Sequence, residues 1–141
     1  MSIITNTWGY TIPGAPVTKK NSQLIAFNRG TGKRFIRQSD RYEQYETIAS
    51  YFLAPKPPKP INYPCRVTCV YYMPTRRRVD LTNLLAATHD VLVKFFILAD
   101  DNRDIVASLG DSRVLYDKEN PRVEIRIEPL GEAYEQWKKE K

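Results

Sequence analysis

Most residues able to do chemistry lie in one stretch, Arg76 to Asp104, RRRVDLTNLLAATHDVLVKFFILADDNRD. Its apolar positions recur at helical spacing and predict a helix from Leu81 to Phe96. At about 100° per residue, Leu81, Leu84, Leu85, Thr88, Leu92, Phe95 and Phe96 share one face and form the expected core side. Asp80, Asn83, Ala87, Asp90 and Lys94 fall on the other. Asp80 has two readings: a helix cap favoured by the helix dipole, or a ligand. Asp100, Asp101 and Asp104 follow in the loop after the helix. Closely placed carboxylates repel, and a divalent cation removes that cost. Magnesium takes one or two of them together with water and phosphate oxygens, and it stabilises charge at a phosphoryl centre. His89, at the margin of the apolar face, reads as a boundary residue rather than a general base.

Charge along the chain supplies the counterpart. Residues 1–79 carry a net +10 and residues 80–141 a net −4, giving the overall +6. No acidic residue occurs among the first 39. A basic half facing a polyanion and an acidic half holding a metal are compatible with a metal-assisted nuclease. A basic interaction protein for RNA or an acidic partner explains the charge equally well, but leaves the spacing from Asp80 to Asp101 to chance. Tyr42, Tyr45, Tyr71 and Tyr72 sit at helical and strand spacing, which favours core positions over base stacking.

The elements that must position these residues emerge from pattern. Residues 5–12 read as a first strand ended by Pro13-Gly14-Ala15-Pro16. Short strands near Leu24–Phe27 and Lys33–Arg37 flank a turn at Asn28–Gly32 and can pair as a hairpin. Ser39 is placed to cap a helix over about 40–53, and the proline-rich run Pro55–Pro60 then acts as a stiff connector. Cys65–Met73 is a strand, Ile105–Leu115 another, and Arg122–Glu128 an alternating strand with one wet face. The expected architecture is a single compact α/β domain of mixed α+β type. It has a mixed sheet of four to six strands and two main helices, with residues 1–130 as the domain and 131–141 as a charged tail.

The two cysteines, Cys65 and Cys69, share one face of a strand and read as buried, reduced thiols. With His89 the only histidine, a zinc site lacks ligands. No run of about 18 apolar residues predicts a membrane span. Residues 1–10 show no secretory pattern, so a cytoplasmic setting is expected.

Taken together, Arg76-Arg77-Arg78-Val79-Asp80-Leu81-Thr82-Asn83-Leu84, then Asp90, Lys94 and Leu98-Ala99-Asp100-Asp101, resemble the core motif of the RusA family of Holliday-junction resolvases. Gly14-Ala15-Pro16 followed by Lys19-Lys20-Asn21-Ser22 is similar to the family's opening strand and loop. The resemblance is clearest over residues 76–104. It implies a C2 homodimer, bacterial or phage-borne, that cuts four-way DNA junctions by paired nicks with Mg²⁺, or Mn²⁺ in its place. On that resemblance Asp80, Asp101 and Asp100 are catalytic metal ligands with Thr82 beside them, supported by Asn83, Asp90 and Lys94. Lys19, Lys20, Asn21, Ser22, Arg29, Lys33, Arg34, Arg76, Arg77 and Arg78 are the expected DNA contacts.

Two positions depart from the family motif. Thr82 stands where the family has a second carboxylate, and Ala86 stands where it has a lysine. A hydroxyl is a weaker, neutral ligand, and alanine supplies no cation. The rival expectation is therefore a junction-binding protein that has lost cutting.

Overall fold

A computed structural model describes residues 6–18, 23–27, 29–38 and 40–139. Lys19, Lys20, Asn21, Ser22 and the expected cap Ser39 lie outside the described residues. The elements run β1 (Trp8–Pro13), β2 (Gln23–Phe27), β3 (Arg34–Gln38), α1 (Asp40–Phe52), β4 (Cys65–Met73), α2 (Leu81–Lys94), β5 (Val106–Ser108), β6 (Arg113–Tyr116), β7 (Arg122–Pro129) and α3 (Glu132–Lys139).

β4 is the spine of a five-stranded mixed sheet. β7 pairs with it antiparallel on one side, and β1 continues the sheet beyond β7, also antiparallel. On the other side β5 and β6 both pair parallel to β4, at opposite ends of it. β2 and β3 form a separate antiparallel hairpin, as expected, with Phe27 opposite Arg34 at its tip. Alternation along the central strands buries Cys65, Val67, Cys69 and Tyr71 of β4, Val123, Ile125 and Ile127 of β7, and Tyr10 and Ile12 of β1. α1 and α2 lie over that face. Tyr42, Tyr45, Ala49, Leu84, Leu85, Val91 and Leu92 complete the core, and the hydroxyls of Tyr71 and Thr88 meet at 2.6 Å within it.

The parallel link from β4 through α2 to β5 decides where the two ends of α2 lie. β4 runs from Cys65 to Met73, and α2 returns antiparallel to it so that β5 can start beside Cys65. A parallel bridge between Ile61 and Leu98 fixes the same end. The start and finish of α2 therefore sit at opposite ends of the sheet.

Three expectations need correction. The stretch 105–115 is two strands, not one. Gly110 stands between them at φ 57, and a Cβ there would collide with the Thr68 side chain, so the chain must turn. The helix ends at Lys94. Phe96 adopts φ 66 and points outward, 66% exposed, instead of joining the core. Ile97 N–H donates to Leu92 carbonyl at 2.9 Å and Phe96 N–H to Val93 carbonyl at 3.1 Å. This is a Schellman ending with phenylalanine in the position usually held by glycine. Ala87 is 3% exposed and belongs to the core rather than to the acidic face. Residues 132–139, within the charged tail, form α3.

Candidate metal and nucleic-acid site

α2 carries chemistry at both ends. At its start, Asp80 is the N-cap, with an extended backbone whose carboxylate accepts the Thr82 N–H at 3.0 Å. The Thr82 hydroxyl donates to the same Oδ1 at 2.6 Å. Asn83 N–H and Leu84 N–H close the first turn on the Asp80 carbonyl, both at 3.1 Å. The cap reading of Asp80 is thus realised, while its carboxylate stays at the surface. Ala86 is exposed one turn along.

The same end of the sheet holds the arginines. Arg76, Arg77 and Arg78 are exposed on the segment that leaves β4. Arg76 lies over the Tyr116 ring at 4.1 Å. Arg77 and Arg78 line a cleft of about 300 Å³ with Thr18, Arg41, Pro74 and Val79. Arg29, Lys33 and Arg34 are exposed at the hairpin tip.

At the other end of α2, Asp90, Lys94, Asp100 and Asp101 line an open pocket of about 510 Å³ with Tyr42, Glu46 and Val93. Lys94 pairs with Glu46 at 3.1 Å. Asp100 shapes its own loop: Oδ1 accepts the Asp101 N–H at 2.7 Å and Oδ2 accepts the Asn102 side-chain amide at 3.3 Å. The Asp101 carboxylate makes no hydrogen bond among the described residues and is exposed, which suits a ligand better. Asp104 is turned away, towards the Tyr134 hydroxyl at 3.5 Å.

His89 is half-buried beside this pocket. Its pKa is lowered by burial, against the opposing pull of Asp101 and Asp90. Its Nε2 has no hydrogen-bond partner among the described residues. A neutral boundary imidazole fits both observations. Burial first, then Glu46 and Asp90, push the Tyr42 hydroxyl up to about 12, so it stays protonated.

The structure therefore unites Asp90, Lys94, Asp100 and Asp101, and it separately unites Asp80, Thr82, Asn83 and Arg76–Arg78. Asp80 lies outside the pocket that Asp90, Asp100 and Asp101 line, and ten residues, roughly 15 Å at about 1.5 Å each, separate it from Asp90 along α2. Among the described residues, no group of three His, Cys, Asp or Glu side chains is arranged to hold a metal ion. Hard carboxylate donors of the kind magnesium takes are present at both places: Asp80 at the start of α2, and Asp90, Asp100 and Asp101 around the pocket.

Sequence reasoning missed Glu46, Tyr42 and Arg41. All three lie on α1, and only the packing of α1 beside α2 brings them to the two ends. The signal available was their position on a helix whose apolar face was already evident.

Among the described residues, no helix is long and apolar enough to cross a membrane. No curated protein matches the chain. The family model described as Endodeoxyribonuclease RusA matches residues 13–128, a span that includes both ends of α2 and the arginine run. With that match over most of its length, the chain belongs to the RusA endodeoxyribonuclease family.

Proposed function

We propose that this chain is a magnesium-dependent resolvase that nicks four-way DNA junctions in pairs, working as a C2 homodimer whose metal sites are shared between copies. In this reading Asp80 of one copy meets Asp101 of the other, with Asp100 holding the Asp101 loop. The observation that carries it is that Asp80 lies outside the pocket that holds Asp101, in a nuclease-family chain. Two copies related by a two-fold axis would form two such sites, one for each strand to be cut.

Magnesium bound between such carboxylates supplies charge stabilisation at the attacked phosphate and a more acidic water. The chain's own residues do the rest. Asp80 is held in one orientation by the Thr82 N–H and hydroxyl. Asp101 is presented by the Asp100 turn. Arg76, Arg77 and Arg78, with Arg29, Lys33 and Arg34 on the hairpin, would follow the phosphates and make affinity steeply salt-dependent. Lys94 is tied to Glu46 and balances the acidic pocket rather than reaching DNA.

A second reading is favoured by one observation: the Thr82 hydroxyl is donated to Asp80, and Ala86 supplies no cation one turn along from it. Lys94 is the cation that the exposed side of α2 does carry, and it is paired with Glu46. Such a chain would bind junctions without cutting them. Cleavage of a labelled four-way junction, with and without Mg²⁺ and beside a linear duplex, separates the two. Paired nicks that need Mg²⁺ and vanish in Asp101→Asn support the resolvase. Tight binding without nicks supports the binding protein, and neither binding nor nicks contradicts both.

A further inference from the structure

The arginines of this chain fall into two groups. Arg113 pairs with Asp111 at 3.2 Å, Arg122 with Asp117 and Glu124 at 3.0 Å each, and Arg126 with Glu128 at 3.4 Å. Arg41, Arg77 and Arg78 have no carboxylate partner among the described residues, and all three line one cleft. Among the described residues, no acidic one lines it. Its walls come from three separate parts of the chain: residues 15–18 after β1, the first turn of α1, and residues 73–79 after β4.

Three like charges brought into one cleft repel each other unless an anion joins them. Arg41 is the least expected member. It sits in the first turn of α1, where the helix dipole disfavours a cation. An anion in the cleft would offset both the repulsion and that penalty, because the three guanidinium groups would act on it together. Guanidinium forks match the paired oxygens of phosphates and carboxylates alike, and in a chain of a DNA-cutting family the anion that suits an open cleft is a backbone phosphodiester. Val79 lines the cleft, and Asp80 is the next residue.

We infer that Arg41, with Arg77 and Arg78, forms a pocket for one backbone phosphate of the DNA strand, next to the phosphate presented to Asp80. The inference rests on the DNA-cutting reading and adds to it a positioning residue from α1. Arg41 holds the strand in register and takes no part in bond breaking.

Binding of wild type, Arg41→Gln, Arg41→Lys and Arg113→Gln to a fixed four-way junction tests this, in Ca²⁺ between about 50 and 200 mM KCl. Thermal melts of each variant run alongside. Arg41→Gln should weaken binding about tenfold at roughly 100 mM salt and lower the salt slope by about one. Arg41→Lys should recover most of both, and Arg113→Gln should match wild type, all with unchanged melting. In cleavage assays Arg41→Gln should raise KM and leave kcat in place. Wild-type affinity and slope in Arg41→Gln would overturn the pocket and leave the DNA reading standing. An equal loss in Arg113→Gln would overturn it as well, since the effect would be general charge. Failure of the wild type to bind any junction would overturn both.

Discussion

The Thr82 hydroxyl lies 2.6 Å from Asp80 Oδ1 and donates its proton there. It occupies the position at which the family motif has a second carboxylate. A hydroxyl bound in this way withdraws electron density from Asp80 and offers a metal only a neutral oxygen. Thr82→Asp is therefore expected to tighten Mg²⁺ binding and raise junction cleavage by about tenfold or more. Without metal the two carboxylates repel, so the variant should melt lower in EDTA and recover in Mg²⁺. Calorimetric titration and cleavage rates check the first expectation, and paired melts check the second.

Phe96 occupies a left-handed backbone position that costs a side-chain residue about 1–2 kcal/mol. Its ring is exposed and only loosely approached by Lys56, at 5.9 Å. Phe96→Gly should relieve the strain while Leu92 and Ile97 keep the helix end buried. A gain of about 1 kcal/mol in urea unfolding is expected, and a loss would contradict this explanation of the helix end.

The Tyr71–Thr88 hydrogen bond joins β4 to α2 inside the core. Tyr71→Phe leaves the buried Thr88 hydroxyl without that partner, at a cost of about 1–3 kcal/mol. Because α2 positions Asp80, the same variant should also lower cleavage more than its modest loss of stability explains. Chemical denaturation and single-turnover cleavage, both at the same temperature, check the pair of effects.

Burial pushes the thiols of Cys65 and Cys69 up to about 12, and Cys65 Sγ also donates to the Ile105 carbonyl at 3.0 Å. At about pH 8 both should be thiol rather than thiolate and closed to solvent. Ellman's reagent is expected to find no reactive thiol in the folded protein and both after denaturation. Fast reaction of the folded protein under the same conditions would contradict the buried placement.

Much of this architecture was legible in the sequence because its signals are local. The Leu81–Leu92 periodicity points to α2, the alternation over 122–128 to β7, and the two short strands around 28–32 to the hairpin. The errors lie where tertiary demands override local pattern. A helical wheel carried on to residue 96 places Phe96 inward, but α2 stops at Lys94 so that Ile97 and Leu98 can enter the core. Ala87 shares the polar side of the wheel, yet so small a residue leaves room for close packing there. Gly110 breaks an otherwise strand-like run because of Thr68, which is far off in sequence. The site was half legible. Its residue types and spacing could be read, but not that Asp80 falls outside the pocket that holds Asp101. That placement depends on how α2 and the loop after it pack against α1. Arg41 and Glu46 were hidden for the same reason, since α1 meets α2 only in the folded chain.

The central claim, that Asp80 and Asp101 act from different copies, is tested most directly by mixing Asp80→Asn protein with Asp101→Asn protein after co-refolding. Each variant alone should leave the junction uncut. In the mixed dimer one site would lose both carboxylates and the other would regain both. Cleavage should therefore return with one working site in each mixed dimer, about a quarter of the wild-type number across an equal mixture, as single nicks rather than paired ones. A mixture as inactive as either variant, with mixed dimers present, would place both carboxylates in one chain and contradict the claim.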